Sequence, residues 1–313
     1  MAAKQASKGV AATPAVDTTY KNPFSGGNIA PTRETDNLEE TDSNRDQGVA
    51  YVSTSGVEGS PEFYARDSSI AAWLFWTLGA TAPTGTTPNF THTITPANSL
   101  PYVTLWRNIS DTLFEEFKDC QVSELTVSAD AGAPLMVEAS VVGRQATRLT
   151  ADPSITPAIA LQSSQVYNFN NAAVTLGGGA TSLVGSFELS VENNVEPQQT
   201  DDVVPYDVVA GTREVSLGFD LIFESLDEYN KFHYGGAAGT TISPNIFTTS
   251  ATFTFTLGTN NEISFSLPSI AYEEFDVEPD AGGDPITVSA RAVAQRSGSP
   301  VVTATVKNQI ATY

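Results

Sequence analysis

Catalysis needs nucleophiles, bases or metal ligands within reach of one another, and this chain offers few. It has two histidines, His92 in a Thr-rich run and His233 near the end of a helical pattern. Neither has a sequence partner that would make a metal pair or a catalytic dyad, so both read as structural. The single cysteine, Cys120, permits no intrachain disulfide and reads as a buried, inert thiol. Paired carboxylates at Glu115-Glu116 and Glu273-Glu274 are of the right type for acid–base work. They recur in similar settings, which fits a shared surface better than one active site. The run from Asp276 to Asp280 opens like a calcium loop. Ala281 stands where that loop needs glycine, and Thr287 at position twelve cannot bind bidentately. No nucleophile elbow, P-loop or zincin pattern occurs, and Gly177, Gly178 and Gly179 are not followed by the Lys-Ser/Thr of a phosphate cradle. The expectation is no catalytic residue, no metal site and no cofactor.

Charge is the stronger signal. The 313 residues carry 36 acidic against 15 basic side chains, a formal net charge of -21. Such a chain will not wrap a phosphate backbone, because that binding depends on cations displacing counterions. The acidity fits a surface that repels nucleic acid, adaptation to high salt, or plain solubility. No apolar run reaches transmembrane length, and the first residues lack the apolar stretch of a signal peptide. The expectation is a protein made and kept in the cytoplasm until it is used, with no membrane partner.

The elements that would position these residues are mostly strands. Gly, Pro, Ser and Thr are plentiful and Val-rich alternating segments recur, which favours an all-β fold. Residues 1 to about 50 are polar and aperiodic, and read as an arm. Val57 to Ala65 reads as a strand that Pro61 restricts to an edge or bulge. Asp67 to Gly79 reads as a short amphipathic helix, with Asp67 or Ser68 as cap, Gly79 as stop, and Ile70, Trp73, Leu74 and Leu78 on one face. Further on, Val215, Leu217, Phe219, Leu221 and Phe223 alternate along one strand. A second short helix follows, with Ser225 and Glu228 at capping-box spacing and Gly235 as its stop. Gly/Thr/Pro-rich loops come after both helices, from Gly79 to Asn89 and from Gly235 to Asn245.

This order repeats. Ser128 to Ala139 and Glu278 to Ala290 both read Asp-Ala-Gly, then Pro, then an alternating run ending in Val-x-Ala. Around each copy come strand, helix, Gly stop, loop and Glu-Glu-Phe in the same sequence. An internal repeat of this size decides the domain plan before any site is sought. The plan is an N-terminal arm at 1–48, able to lend a strand; a first β-sandwich at 49–150; a linker at 151–165; and a second β-sandwich at 166–313. Short helices flank the two tandem sandwiches.

Three stretches carry a resemblance: Leu113 to Gly143, Tyr167 to Gly179 with Gly185 to Asn194, and Arg213 to Phe232. Together they resemble the major tail tube proteins of long-tailed, siphovirus-like viruses of bacteria and archaea, across roughly residues 50 to 313. The resemblance implies a structural virion protein, not an enzyme. It implies rings stacked into a tube that conducts viral DNA, with inner-sheet strands of neighbouring domains joined around the channel. Six domains per ring with two per chain implies a homotrimer of pseudo-hexameric symmetry, closed by a heterologous interface. Outward carboxylates on alternating strands, Glu188, Glu192, Glu214 and Asp220, then become candidates for the lumen, where they would keep DNA from sticking. Which sheet face looks into the lumen stays open. Thr81, Pro83, Pro88, Thr240 and Pro244, on the two loops, become candidate ring-to-ring contacts. The implied partners are further copies of the chain, tape measure, terminator and baseplate proteins, and DNA in passage. The implied location is the virion tail after synthesis in the host cytoplasm. The alternative is a double β-sandwich binding module or adhesin; a hydrolase on a β scaffold comes third, for want of a nucleophile–base pair.

Overall fold

Alternation of Val, Phe, Leu and Ile with Ser, Thr and Glu makes strands with one dry and one wet face, and strands dominate the computed structural model. It describes residues 1–39, 46–86, 88–110, 112–278 and 286–313. The first part of the chain holds β1 (Ala2–Lys4), β2 (Thr19–Tyr20), β3 (Ile29–Asn37), β4 (Ala50–Gly59), β5 (Glu62–Tyr64), α1 (Ile70–Leu78), β6 (Gly79–Thr86), β7 (Asn89–Pro96), β8 (Val103–Ile109), β9 (Leu113–Asp130), β10 (Met136–Gly143) and β11 (Gln145–Leu149). The second holds β12 (Ala172–Leu176), β13 (Gly179–Thr181), β14 (Ser186–Glu192), β15 (Val195–Gln198), β16 (Asp207–Ala210), β17 (Glu214–Ile222), α2 (Asp227–Tyr234), β18 (Thr248–Leu257), β19 (Asn261–Glu278), β20 (Thr287–Ala294) and β21 (Thr303–Asn308). The fold is all-β, with two α-helices among the described residues.

One antiparallel sheet runs β3–β4–β10–β9–β14–β17–β20–β19. β5 continues β4 along β10 after a break at Ser60 and Pro61. Two outer layers run β2–β1–β8–β9–β11 and β13–β12–β18–β19–β21, the second extended by β7 and β6. β9 and β19, each 18 residues long, cross from an outer layer into the shared sheet. β9 turns at Asp119, which adopts a left-handed φ of 55°. Asp119 is fully buried there, bonded to Arg144 at 2.6 Å, to the Gly9 amide at 2.6 Å and to Gln5. The strand order β3–β4–β10–β9 recurs in the next four strands as β14–β17–β20–β19. Within the shared sheet each long strand also carries a bulge, at Ser123 in β9 and at Glu273 in β19.

Between the layers lies one apolar core that draws on both parts of the chain. Phe187 of β14 lies 4.6, 5.3 and 5.9 Å, ring to ring, from Phe253, Phe255 and Phe265. That contact ties the shared sheet to the β18–β19 layer.

Several local expectations change. Helix α1 is not amphipathic: all nine residues are buried, with Trp73 against Phe63 and Trp76 against Tyr20. A helix apolar all round must be covered all round. Its cap is Ser69, without a side-chain bond, and Gly79 ends it at φ 98°. The capping box of α2 does not form, because Glu228 turns instead to Lys231 and to the Tyr272 hydroxyl at 2.7 Å. The segment after α1 is a β-hairpin, not a loop. Pro83 sits in its outer strand β6, which pairs on one side only and so misses no donor. Residues 1–37 are placed by β1 beside β8 and by β3 beside β4. Asp130 to Ala133 forms a turn, with Gly132 at φ 87°. The second Asp-Ala-Gly, at Asp280, and the end of the calcium-like run after Glu278 lie outside the described residues, as do residues 40–45 of the N-terminal arm.

Candidate functional site

The second half of β9 and the strands β14 and β17 share one pattern. Leu125, Val127, Ala129, Phe187, Leu189, Val191, Val215, Leu217 and Phe219 are buried. The residues between them turn to the other face. Strand register then decides which polar groups meet. Glu192 stands directly opposite Glu124 on one side and opposite Glu214 on the other. Three carboxylates thus lie abreast across three strands. Like charges directly opposite one another destabilise a sheet, so this row is electrostatically unfavourable. A second such pair is Glu62 opposite Glu138.

Little compensates on this face. Glu124 accepts from the Ser190 hydroxyl at 2.7 Å. Among the described residues, the recorded ion pairs include none of Glu124, Glu188, Glu192 and Glu214. Glu188 faces Ser128 and Gly218, with Arg291 opposite Gly218 on the next strand. Arg291 itself reaches Glu273 only at 4.0 Å, both being more than half exposed. Asp220 is better held, accepting from Ser186 at 2.7 Å and Ser289 at 2.6 Å. The row lines a shallow depression of about 260 Å³, with no apolar floor to hold a small ligand.

All four sequence-chosen carboxylates, Glu188, Glu192, Glu214 and Asp220, therefore share one face. Sequence reasoning missed Glu124, although it alternates with buried Leu125 and Val127 as clearly as Glu192 does with Val191. Thr81, Pro83 and Pro88 lie on the β6–β7 hairpin, the two prolines exposed. Thr240 and Pro244 lie on the exposed irregular segment after α2, beside Ile242 at 80% and Ile246 at 73% exposure.

The groups with catalytic chemistry are scattered. Burial pushes the Cys120 thiol up, well out of nucleophilic range. His92 is buried, its Nε2 2.7 Å from the Ile310 carbonyl and its ring against Tyr313; burial lowers its pKa. His233 packs on Tyr229. The two Glu-Glu pairs are not equivalent. Glu115 is bonded to Arg107 and Glu116 to the Trp106 indole at 2.9 Å, in the outer half of β9. Glu273 and Glu274 sit at the β19 bulge in the shared sheet. Chain order had aligned them; strand pairing separates them. Among the described residues, no three His, Cys, Asp or Glu side chains converge to hold a metal ion.

Comparison with known proteins bears on such a face. A family model described as phage tail tube protein matches residues 1–306. No curated protein matches the sequence.

Proposed function

The chain belongs to the phage tail tube protein family, and we propose that copies of it close into rings that stack into a siphovirus-type tube conducting viral DNA. As a family member it is a structural protein of the virion tail. In the proposed tube, the acidic face lines the lumen. One observation carries this: Glu124, Glu192 and Glu214 stand abreast on a sheet, and among the described residues none of the three has an ion-pair partner. A wall of fixed negative charge repels phosphates, so DNA slides past without counterion release to hold it.

Ring closure is supported by the two ends of the shared sheet. Among the described residues β3 is paired only with β4, and the last residues of β19 only with β20. Open edges invite pairing with another chain, and a closed barrel removes them. The recurring order of four strands supports two tube units per chain, hence three chains per ring. Thr81, Pro83 and Pro88 with Thr240 and Pro244 are proposed to meet the next ring, and the tape measure, terminator and baseplate proteins to meet the tube ends. Synthesis in the host cytoplasm completes the proposal.

Electron microscopy of the purified chain tests it. Rings of three chains, or tubes with a central channel, are expected. A persistent monomer under conditions that assemble other tail tubes would refute the reading.

A further inference from the structure

We infer that the open edge of β19 in one copy pairs antiparallel with the open edge of β3 in the next, with Asp276 opposite Ala30 and Val277 opposite Ile29. This rests on the ring assembly proposed above and adds its register and contacts.

The chain contains its own pattern for the joint. β9 meets β14 with Glu124 opposite Glu192, Leu125 opposite Val191, Thr126 opposite Ser190 and Val127 opposite Leu189. Both strands have counterparts at the open edges. The row Ile29–Gly59–Val141–Val122 crosses β3, β4, β10 and β9. The row Leu189–Leu217–Ala292–Tyr272 crosses β14, β17, β20 and β19 in the same way. Each row ends one residue before the bulge of its long strand. Val277 therefore takes the place of Val127, and Ile29 that of Leu189. Transferring the β9–β14 register puts Glu274 opposite Thr32, Phe275 opposite Pro31, Asp276 opposite Ala30 and Val277 opposite Ile29.

The chemistry of these pairs agrees with the faces they join. Phe275 and Ile29 are buried on the core side of their strands. Glu274 and Asp276 extend the acidic face up to the joint. A slip of one residue would set Asp276 against Ile29 and turn a carboxylate into the core, which strongly disfavours it. Pro31 adds a second feature. The Asn28 carbonyl accepts from the Ser60 amide, just past the end of β4. By alternation, Ile29, Pro31 and Arg33 direct their nitrogens to the open edge. Pro31 has no N–H, so the unassembled edge is a poor template for random pairing.

The test is a pair of cysteine substitutions, Ala30→Cys with Asp276→Cys, in the full chain. In the inferred register this is a non-hydrogen-bonded pair, with Cα atoms about 4.5 Å apart and within disulfide reach. Oxidised assemblies should run as linked dimers and trimers on a non-reducing gel. The diagonal control, Ala30→Cys with Glu274→Cys, should link at least about tenfold more slowly, its Cα atoms being about 7–8 Å apart. Faster linking in the control, or none in either while rings remain intact, would overturn the register and leave the ring reading standing. Absence of rings from the unaltered chain would overturn both. Amide exchange on the unaltered chain keeps the test independent of the variants. The amides of Ile29, Arg33, Phe275 and Val277 should slow by at least about tenfold on assembly. Unchanged exchange there, with rings present, overturns the joint.

Discussion

Replacing Glu192 by glutamine should stabilise the unassembled chain. Glu192 has a glutamate directly opposite on each side. Opposed side chains on neighbouring strands stand about 5 Å apart. Two unit charges at that distance in water repel by about 0.8 kcal/mol. Physiological salt, with a screening length of about 8 Å, roughly halves this. Two such contacts make a gain of about 0.8 kcal/mol for Glu192→Gln, and about twice that for Glu192→Lys, where repulsion becomes attraction. In a chain of this size the glutamine variant should melt about 1 °C higher. Denaturant titration at low salt and at about 1 M salt measures the effect. At the higher salt the screening length is about 3 Å and most of the gain should vanish. A neutral or destabilising result at low salt, or a gain that ignores salt, refutes the argument that the row is in electrostatic conflict. The functional half is separate. Virions carrying Glu192→Lys should eject DNA more slowly, and unchanged ejection from intact particles would remove this face from the lumen.

Arg144→Met should cost about 3 kcal/mol or more in chemical denaturation, because Asp119 is fully buried and loses its ion pair with Arg144. A loss below about 1 kcal/mol would mean that the bonds from Gln5 and Gly9 suffice to hold the carboxylate. His92 should add an acid-sensitive contribution to stability. Its folded pKa lies below the unfolded value of 6.5 because burial disfavours the charged ring, so the unfolded chain takes up the proton first. That contribution is whole above about pH 6.5, shrinks as pH falls below it, and stops changing below the folded pKa. A His92→Asn variant should show a shallower loss of stability as pH falls below about 6.5, and an unchanged slope would contradict this.

The acidic row was half legible in the sequence. Period-two alternation is strong on β14 and β17, so Glu188, Glu192, Glu214 and Asp220 could be assigned to the outward side. That Glu124 completes the row depends on which strand lies next to β14, a long-range pairing that local pattern does not encode. The Glu-Glu-Phe match misled for the same reason: identical letters sit in different halves of β9 and β19. Helix α1 looked amphipathic because Ile70, Trp73, Leu74 and Leu78 form a stripe. Ala71, Ala72, Phe75 and Trp76 are apolar as well, and the segments that cover them come from distant parts of the chain. The β6–β7 hairpin hid behind Pro83 and Pro88, which read as loop markers although proline is compatible with an edge strand.

The pairing of β7 with β21 has a consequence for how the chain acquires its structure. His92 and the Ile310 carbonyl it bonds are 218 residues apart, and His92 and Ile94 are fully buried once β21 is in place. A ribosome releases β7 long before it makes β21. Until then the β6–β7 hairpin has no partner for its inner edge, and closing so long a loop is slow. The first part of the chain cannot mature on its own schedule, and a fragment ending near residue 150 would leave an apolar edge open to aggregation. A strand made late completes a hairpin made early.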